Sequence, residues 1–138
     1  IRDRSVSRGL GDVYKRQSAT RIVFPKYLTY LPGYGVSFCN YMVEFVFPEN
    51  VKSISNYFFY GCISLKEIVI PDTVTTIDFR AFWDCTSLTR ITIPASVTKI
   101  DSTAFDGCKK DKLVWVVTPG SYAETYAKKN YYHYVYAK

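Results

Sequence analysis

The residues with the greatest capacity for chemistry in this chain are four evenly spaced cysteines. Cys39, Cys62, Cys85 and Cys108 follow one another at steps of 23 residues. A zinc site draws its ligands from close pairs such as C-x-x-C, and the sequence contains none. Cysteines one repeat apart would lie near enough for disulfides, but equivalent side chains point in parallel. The spacing favours buried thiols that pack as small apolar residues, with disulfides or a metal as the alternatives.

Residues for acid–base or nucleophilic catalysis are sparse. A nucleophile needs a base within hydrogen-bond reach, and the single histidine, His133, lies among aromatic residues near the C-terminus. Of the carboxylates Asp72, Asp78, Asp101 and Asp106, only Asp78 and Asp101 share a position of the repeat. That pair could bind a cation weakly or stay solvated. With no Gly-rich phosphate loop, the sequence predicts a non-enzymatic protein without a cofactor.

The step of 23 residues also governs the apolar residues. A period of this length without gaps indicates one small unit stacked repeatedly, which is a solenoid. Prolines keep the same step at Pro25, Pro48, Pro71 and Pro94. The apolar positions of one unit are Leu65, Ile68, Ile70, Pro71, Val74, Ile77, Ala81, Phe82 and Cys85, with close copies from Met42 to Cys62 and from Leu88 to Cys108 and a weaker copy from Ile22 to Cys39.

Each unit translates into local structure. Ile68-Val69-Ile70 alternates inward, outward and inward, which is the period of a strand. Pro71 has no N–H to give to a neighbouring strand and therefore ends it. Ala81 and Phe82 are predicted to lie in one helical or 3₁₀ turn on the opposite side. The strands should stack as a parallel sheet in a solenoid of about four coils.

The two ends depart from the repeat. Residues 1–17 fit none of its positions and have no apolar stretch of the kind found in signal peptides. We expect them to be a non-native or disordered leader in front of a solenoid over 18–117. A C-terminal cap is predicted over 118–138, where Ser121 and Glu124 form a capping box. It should begin a helix over about 121–130, followed by an extended tail or closing strand.

The net charge of +6 raises the question of nucleic-acid binding. Residues 1–17 carry five basic and two acidic residues, whereas the rest carries thirteen basic and ten acidic, so half of the excess lies in the leader. Beyond it, the only basic cluster is Lys109-Lys110-x-Lys112. A nucleic-acid-binding protein would carry a basic stripe on one face. We therefore expect no nucleic-acid partner, and no run is long and apolar enough to span a membrane.

The pattern L-x-x-I-x-I-P-x-x-V-x-x-I-x-x-x-A-F-x-x-C resembles the BspA-like leucine-rich repeats, a bacterial and protist class. It fits closely over 42–108 and loosely over 22–41. It departs from the commoner leucine-rich pattern because no Asn follows the strand. The resemblance implies a leucine-rich-repeat solenoid, a secreted or cell-surface location, and a role in adhesion or protein binding.

The outward positions of the strands form the first candidate surface. On a leucine-rich solenoid these positions line the concave face, which is the usual binding surface. A flat, rigid sheet suits an extended protein surface better than a small ligand, which needs a deep pocket. In the alternative interpretation, Glu67 and Arg90 simply pair across strands. The predicted face consists of Arg21, Glu44, Val46, Glu67, Val69, Arg90, Thr92 and Trp115.

The second candidate surface is aromatic. Tyr57, Tyr60, Phe79, Arg80 and Trp83 fall outside the apolar positions, around the turns of two successive coils. Aromatic residues beside an arginine are typical of interface anchors. In the alternative interpretation they pack sideways between neighbouring coils, since single exposed apolar side chains are normal on a protein surface.

Together these features predict a monomeric, non-enzymatic module for protein interaction or adhesion. It would be a fragment of a larger secreted or cell-surface bacterial protein, with a protein ligand of the host or the extracellular space. A different class remains open, namely a passive spacer or targeting repeat attached to an upstream enzyme domain. A binding module should carry an uncovered apolar or aromatic patch on one face, whereas a spacer should have a mixed, solvated surface all round.

Overall fold

The computed structural model describes residues 18–138 and forms a parallel β-solenoid whose last turn contains a helix. The predicted leader, 1–17, lies outside the described residues. Coils 1 to 5 begin at Arg21, Glu44, Glu67, Arg90 and Val114. The elements are β1 (Arg21–Val23), β2 (Glu44–Val46), β3 (Ser53–Ile54), β4 (Glu67–Val69), β5 (Thr76–Ile77), β6 (Arg90–Ile93), β7 (Lys99–Ile100), β8 (Val114–Val117), α1 (Tyr122–Lys129) and β9 (His133–Tyr136).

Coils 2 to 4 each contain a longer and a shorter strand, and the strands pair in parallel between coils. The longer strands form the ladders β1–β2 and β4–β6–β8–β9, and the short strands form β3–β5–β7. Ile68 lies opposite Ile91 and Ile54 opposite Ile77, so the register equals the sequence repeat. Because equivalent residues stack directly, each apolar position of the sequence becomes a continuous buried column.

The third side of coils 1 to 4 consists of single turns closed by hydrogen bonds between residues three apart, which is the 3₁₀ form of the predicted helical or 3₁₀ turn. The Phe58 N–H donates to the Ser55 carbonyl at 3.1 Å, closing one turn. Between such bonds the chain reaches across to the next coil, where the Phe59 N–H donates to the Ala81 carbonyl at 2.8 Å. Backbone groups on this side therefore alternate between local and inter-coil partners, so the turns join adjacent coils as a sheet does.

A ladder of phenylalanines fills the centre of the solenoid. Phe82 is fully buried, with its ring stacked 4.9 Å from Phe59 and 5.0 Å from Phe105. The interplanar angles are 9° and 3°, so the three rings lie nearly parallel along the axis. Ala81, fully buried beside Phe82, is small enough to leave the ring room to reach the centre.

Coil 2 has a bulkier core than the later coils. Phe45 and Phe58 occupy the positions that Ile68 and Ala81 hold in coil 3, and their rings lie 5.4 Å apart. Phe58 fits because Gly35 has no side chain, since a Cβ there would lie 2.1 Å from Phe58 Cε2. At this level the strand ladder is interrupted between β2 and β4.

Trp115 corrects one sequence expectation. It was predicted on the outer face, but it pairs with Ile91 and is fully buried. The reason is one extra residue in coil 4: Cys85 precedes Arg90 by five positions, whereas Cys108 precedes Val114 by six. A one-residue shift turns a strand position to the opposite face. Val116 therefore takes the outer position beside Thr92.

The C-terminal cap closes the solenoid with a β–α–β unit. The Ser121 side chain accepts from the Glu124 N–H at 3.2 Å, and the Glu124 carboxylate accepts from the Gly120 N–H at 2.8 Å. Helix α1 then leads to β9, which pairs in parallel with β8. Trp115 is covered by the rings of Tyr126 at 5.5 Å and Tyr132 at 4.8 Å, so the cap seals the last open end of the core.

Truncating the central ladder should be costly. We expect Phe82→Ala to lower the free energy of unfolding by about 3–5 kcal/mol, because it removes a buried ring and leaves a cavity between two others. Phe79→Ala in the same coil, where the ring is 38% exposed, should cost markedly less. Urea unfolding followed by circular dichroism measures both; equal losses would contradict the stacked core.

Candidate functional site

The outward positions of the long strands form one continuous face, which we call the strand face. Its first column runs Arg21, Glu44, Glu67, Arg90, and the Arg21 Nε lies 3.1 Å from a Glu44 carboxylate oxygen. Both side chains of that pair are about half exposed, so it stabilises the fold by at most about 1 kcal/mol. The column continues to Val114 and His133.

Glu67 and Arg90 lie opposite each other in register, and both residues are exposed. No ion pair joins them in the part of the chain that the structure describes, 18–138. The cross-strand pairing weighed from the sequence is therefore absent. Both charges remain directed to solvent beside an apolar column, where they are available to a ligand.

That neighbouring column is a stripe of β-branched side chains. Val69 is 66% exposed, which is high for a valine on a sheet. Sequence reasoning missed the last two members, Val116 and Val135, because the extra residue of coil 4 and the cap break the period. Val116 is itself nearly buried, so the open part of the stripe lies earlier in the chain. The whole stripe is Val23, Val46, Val69, Thr92, Val116 and Val135.

The five residues of the predicted aromatic patch come together on the turn side. Tyr60 stacks on Trp83 with ring centroids 4.6 Å apart and an angle of 15°. Tyr57 contacts Phe79 at 5.5 Å and Trp83 at 5.8 Å. The Arg80 guanidinium lies 4.2 Å from the Trp83 ring centroid and 5.0 Å from that of Phe79. The sideways packing weighed from the sequence does occur, but Phe79 and the rims of the other rings remain accessible.

The aromatic cluster extends one coil further than predicted. Tyr34 stacks on Tyr57 at 4.6 Å with an angle of 5°, and Phe38 lies 4.4 Å from Tyr60. Tyr34 is 55% and Phe38 47% exposed. The step of 23 residues back from Tyr57 leads to Tyr34, which was the available signal; Phe38 stands in the column of Gly61 and gave none. We call the combined set the aromatic surface: Tyr34, Phe38, Tyr57, Tyr60, Phe79, Arg80 and Trp83.

The four cysteines form a column of thiols with no disulfide among them. The thiols of Cys62, Cys85 and Cys108 each donate a hydrogen bond to a backbone carbonyl of the preceding coil. The Cys85 Sγ, for example, lies 3.1 Å from the Phe59 oxygen. Burial raises the pKa of the Cys62 and Cys85 thiols, with a further contribution from neighbouring cysteines. Reactive cysteines need an electropositive, accessible setting, so these thiols are packing groups.

The remaining chemical candidates do not converge on a site. Burial raises the pKa of the Asp78 carboxyl, while Lys99 lowers it and Asp101 raises it. Among residues 18–138 no group of His, Cys, Asp or Glu is arranged to hold a metal ion. Within the same range, none of the helices has the length and apolar character that crossing a bilayer requires.

The geometry and the repeat agree with comparisons to known proteins. The model of the BspA type leucine-rich repeat region matches six copies over residues 11–126. This chain belongs to that family. The match begins inside 1–17, the segment that the repeat columns set apart as a leader. No curated protein sequence matches the chain.

Three crystal structures of leucine-rich-repeat proteins are similar to this BspA-type chain. A leucine-rich cell surface protein of Faecalibacterium prausnitzii is 33% identical over 77% of the chain, with a TM-score of 0.68. One from Bacteroides ovatus is 27% identical over 85%, with a TM-score of 0.69, and one from T. pallidum is 26% identical over 70%, with a TM-score of 0.65. The chain spans only 27%, 30% and 44% of those three proteins, respectively.

The buried thiols generate two expectations. In native protein, a thiol reagent should modify all four cysteines slowly, with the partly exposed Cys108 first, whereas in denaturant all four should react at once. The measurement is the number of cysteines modified as a function of time. Fewer than four modified cysteines in denaturant would mean that disulfides are present.

Stability should also fall in alkali. The folded-state pKa of Cys62 lies above the ordinary value of 9.0, so the contribution of this thiol is complete below about pH 9 and is lost above it, where the unfolded chain gives up the proton. Burial likewise raises the pKa of Tyr126 to about 12, which continues the loss at higher pH. Urea midpoints measured from pH 7 upwards should decline beyond pH 9; a flat profile would show that these groups are not buried.

Proposed function

We propose that this chain is a non-enzymatic module that binds a protein partner through its strand face, as part of a larger secreted or cell-surface protein. The observation that carries the proposal is the open stripe around Val69 beside Glu67 and Arg90, two charges with no ion pair to each other. An apolar stripe edged by available charges is what a partner of matching shape and charge can desolvate and pair. Family membership and the cell-surface relative from Faecalibacterium prausnitzii support the location.

The shape of the face favours an extended protein partner. The stripe follows the axis of the solenoid, so its members recur at the strand spacing of about 4.8 Å. A row of short β-branched side chains offers breadth without a pocket, and small ligands need concave sites that bury most of their surface. A spacer repeat would leave these outward positions polar on every coil, and Val46 and Val69 are not polar.

Reversing the two available charges should weaken partner binding while leaving the fold intact. We expect the double variant Glu67→Arg, Arg90→Glu to bind at least tenfold more weakly, a loss of about 1.4 kcal/mol or more, because both contacts become repulsive. The measurement is biolayer interferometry of the immobilised chain against an array of purified extracellular proteins.

The matched control swaps the exposed ion pair Lys26–Glu49, whose members lie 3.7 Å apart outside the strand face. Lys26→Glu with Glu49→Lys keeps the net charge, as the test variant does, and should leave affinity unchanged. An array with no ligand, or ligands that bind the test variant as well as wild type, would refute the proposal.

A further inference from the structure

The aromatic surface lies on the turn side of the coils, away from the strand face, and its rings are already stacked on one another. Tyr34 lies flat on Tyr57, and Tyr60 lies flat on Trp83. Stacking from coil to coil covers one face of each of these rings. Fewer ring faces are therefore left for a nucleobase to stack on. Ring edges carry the positive end of the aromatic quadrupole and attract negative charge.

Arg80 supplies a full positive charge at the same place. Tyr60 covers one face of the Trp83 ring, so the guanidinium 4.2 Å from the ring centroid must lie on the other. Its Nε is buried without a hydrogen-bond partner. Across 18–138 no carboxylate forms an ion pair with it. A guanidinium held flat by aromatic rings has its orientation fixed, and its two terminal Nη groups can receive a carboxylate in two parallel hydrogen bonds.

Asp84, an acidic residue in the same coil, does not fill this role. Asp84 follows Trp83 directly, but its carboxylate reaches over the next coil, into the space that a Cβ on Gly107 would occupy. The Arg80 backbone N–H donates a hydrogen bond to the Thr103 hydroxyl at 3.2 Å, so the donors that lack a partner are those of the Arg80 side chain. The positive charge is therefore left for a group outside the described chain.

The backbone under this surface follows left-handed positions that recur from coil to coil. Tyr34, Tyr57 and Arg80 stand in one column of the repeat and have φ angles of 61°, 58° and 50°. Phe38 shares a second such column with Gly61, Asp84 and Gly107, where φ lies between 58° and 80°. This conformation therefore belongs to the turns of the coil, and in coils 1 to 3 several of these positions carry a large ring or a guanidinium.

We propose that the aromatic surface is a second binding site, which takes an acidic segment of a protein partner. A carboxylate of that segment lies on the Arg80 guanidinium, and an adjacent apolar side chain packs against the edges of Tyr57, Tyr60 and Trp83. The site is independent of the strand face, since the two surfaces share no residue, and either can act without the other.

The test is selection from a display library of short random peptides on the intact chain. Recovered peptides should contain Asp or Glu next to an apolar residue. Synthetic copies should bind Arg80→Gln at least about tenfold more weakly than wild type, the loss expected for a charge-assisted contact. Arg90→Gln on the strand face is the matched control and should bind normally. In NMR titrations the side-chain N–H signal of Trp83 should move, whereas that of the buried Trp115 should not.

A second comparison needs no protein variant. Peptides in which Gln or Asn replaces the acidic residue should lose the same affinity for wild type, which keeps the test valid if Arg80→Gln disturbs the fold. The proposal is overturned if recovered peptides lack carboxylates, if the amide peptides bind as tightly, if no peptide is recovered, or if binding is lost in Arg90→Gln and retained in Arg80→Gln. The last outcome would assign the peptides to the strand face.

Discussion

Every coil of this protein depends on its neighbours to cover its interior. A single coil contributes one ring to the phenylalanine ladder, and that ring is shielded only because Phe59, Phe82 and Phe105 stack within about 5 Å of one another. The same dependence fixes the backbone, because the turns donate hydrogen bonds from coil to coil as the strands do. A change of length in any coil therefore displaces a whole column, and the repeat tolerates almost none.

This constraint explains which parts of the structure were predictable from the sequence. The inward columns recur at the step of 23 residues, so the coils and the packing of the cysteines could be predicted from spacing. The family was indicated by the residue types in those columns, which resemble its repeat pattern. Trp115 could not, because a single extra residue among 109–113 shifts it by one position and spacing alone does not say where a period slips. The turns on the opposite side were predicted as helical or 3₁₀, and their hydrogen bonds between residues three apart are of the 3₁₀ kind. The left-handed residues between these bonds, such as Tyr57, could not be predicted from the apolar columns.

The two surfaces could be predicted only in part, for a different reason. Because the coils stack in register, the sequence shows which residues share a column. On that basis Tyr57, Tyr60 and Trp83 were placed close together, and in the structure their rings are in contact. It does not tell whether neighbouring charges pair: Arg21 and Glu44 do, while Glu67 and Arg90 in the same column do not. Side-chain rotamers decide that, and exposed long side chains have many of similar energy.

The division between inward and outward positions also explains where binding can be located on such a protein. Inward residues are fixed by packing, and even the thiols serve there as apolar groups whose burial keeps them protonated. Outward residues are free to differ between coils, and here they do: the turn side is aromatic through coils 1 to 3 and becomes polar at Ser102, Thr103 and Asp106 in coil 4. A uniform repeat would extend one surface indefinitely, whereas this change confines the aromatic surface to three coils, which span two strand spacings or roughly 10 Å. A patch of that length matches a short peptide segment better than the surface of a whole domain. The variation of outward residues between coils therefore determines the size of the partner segment.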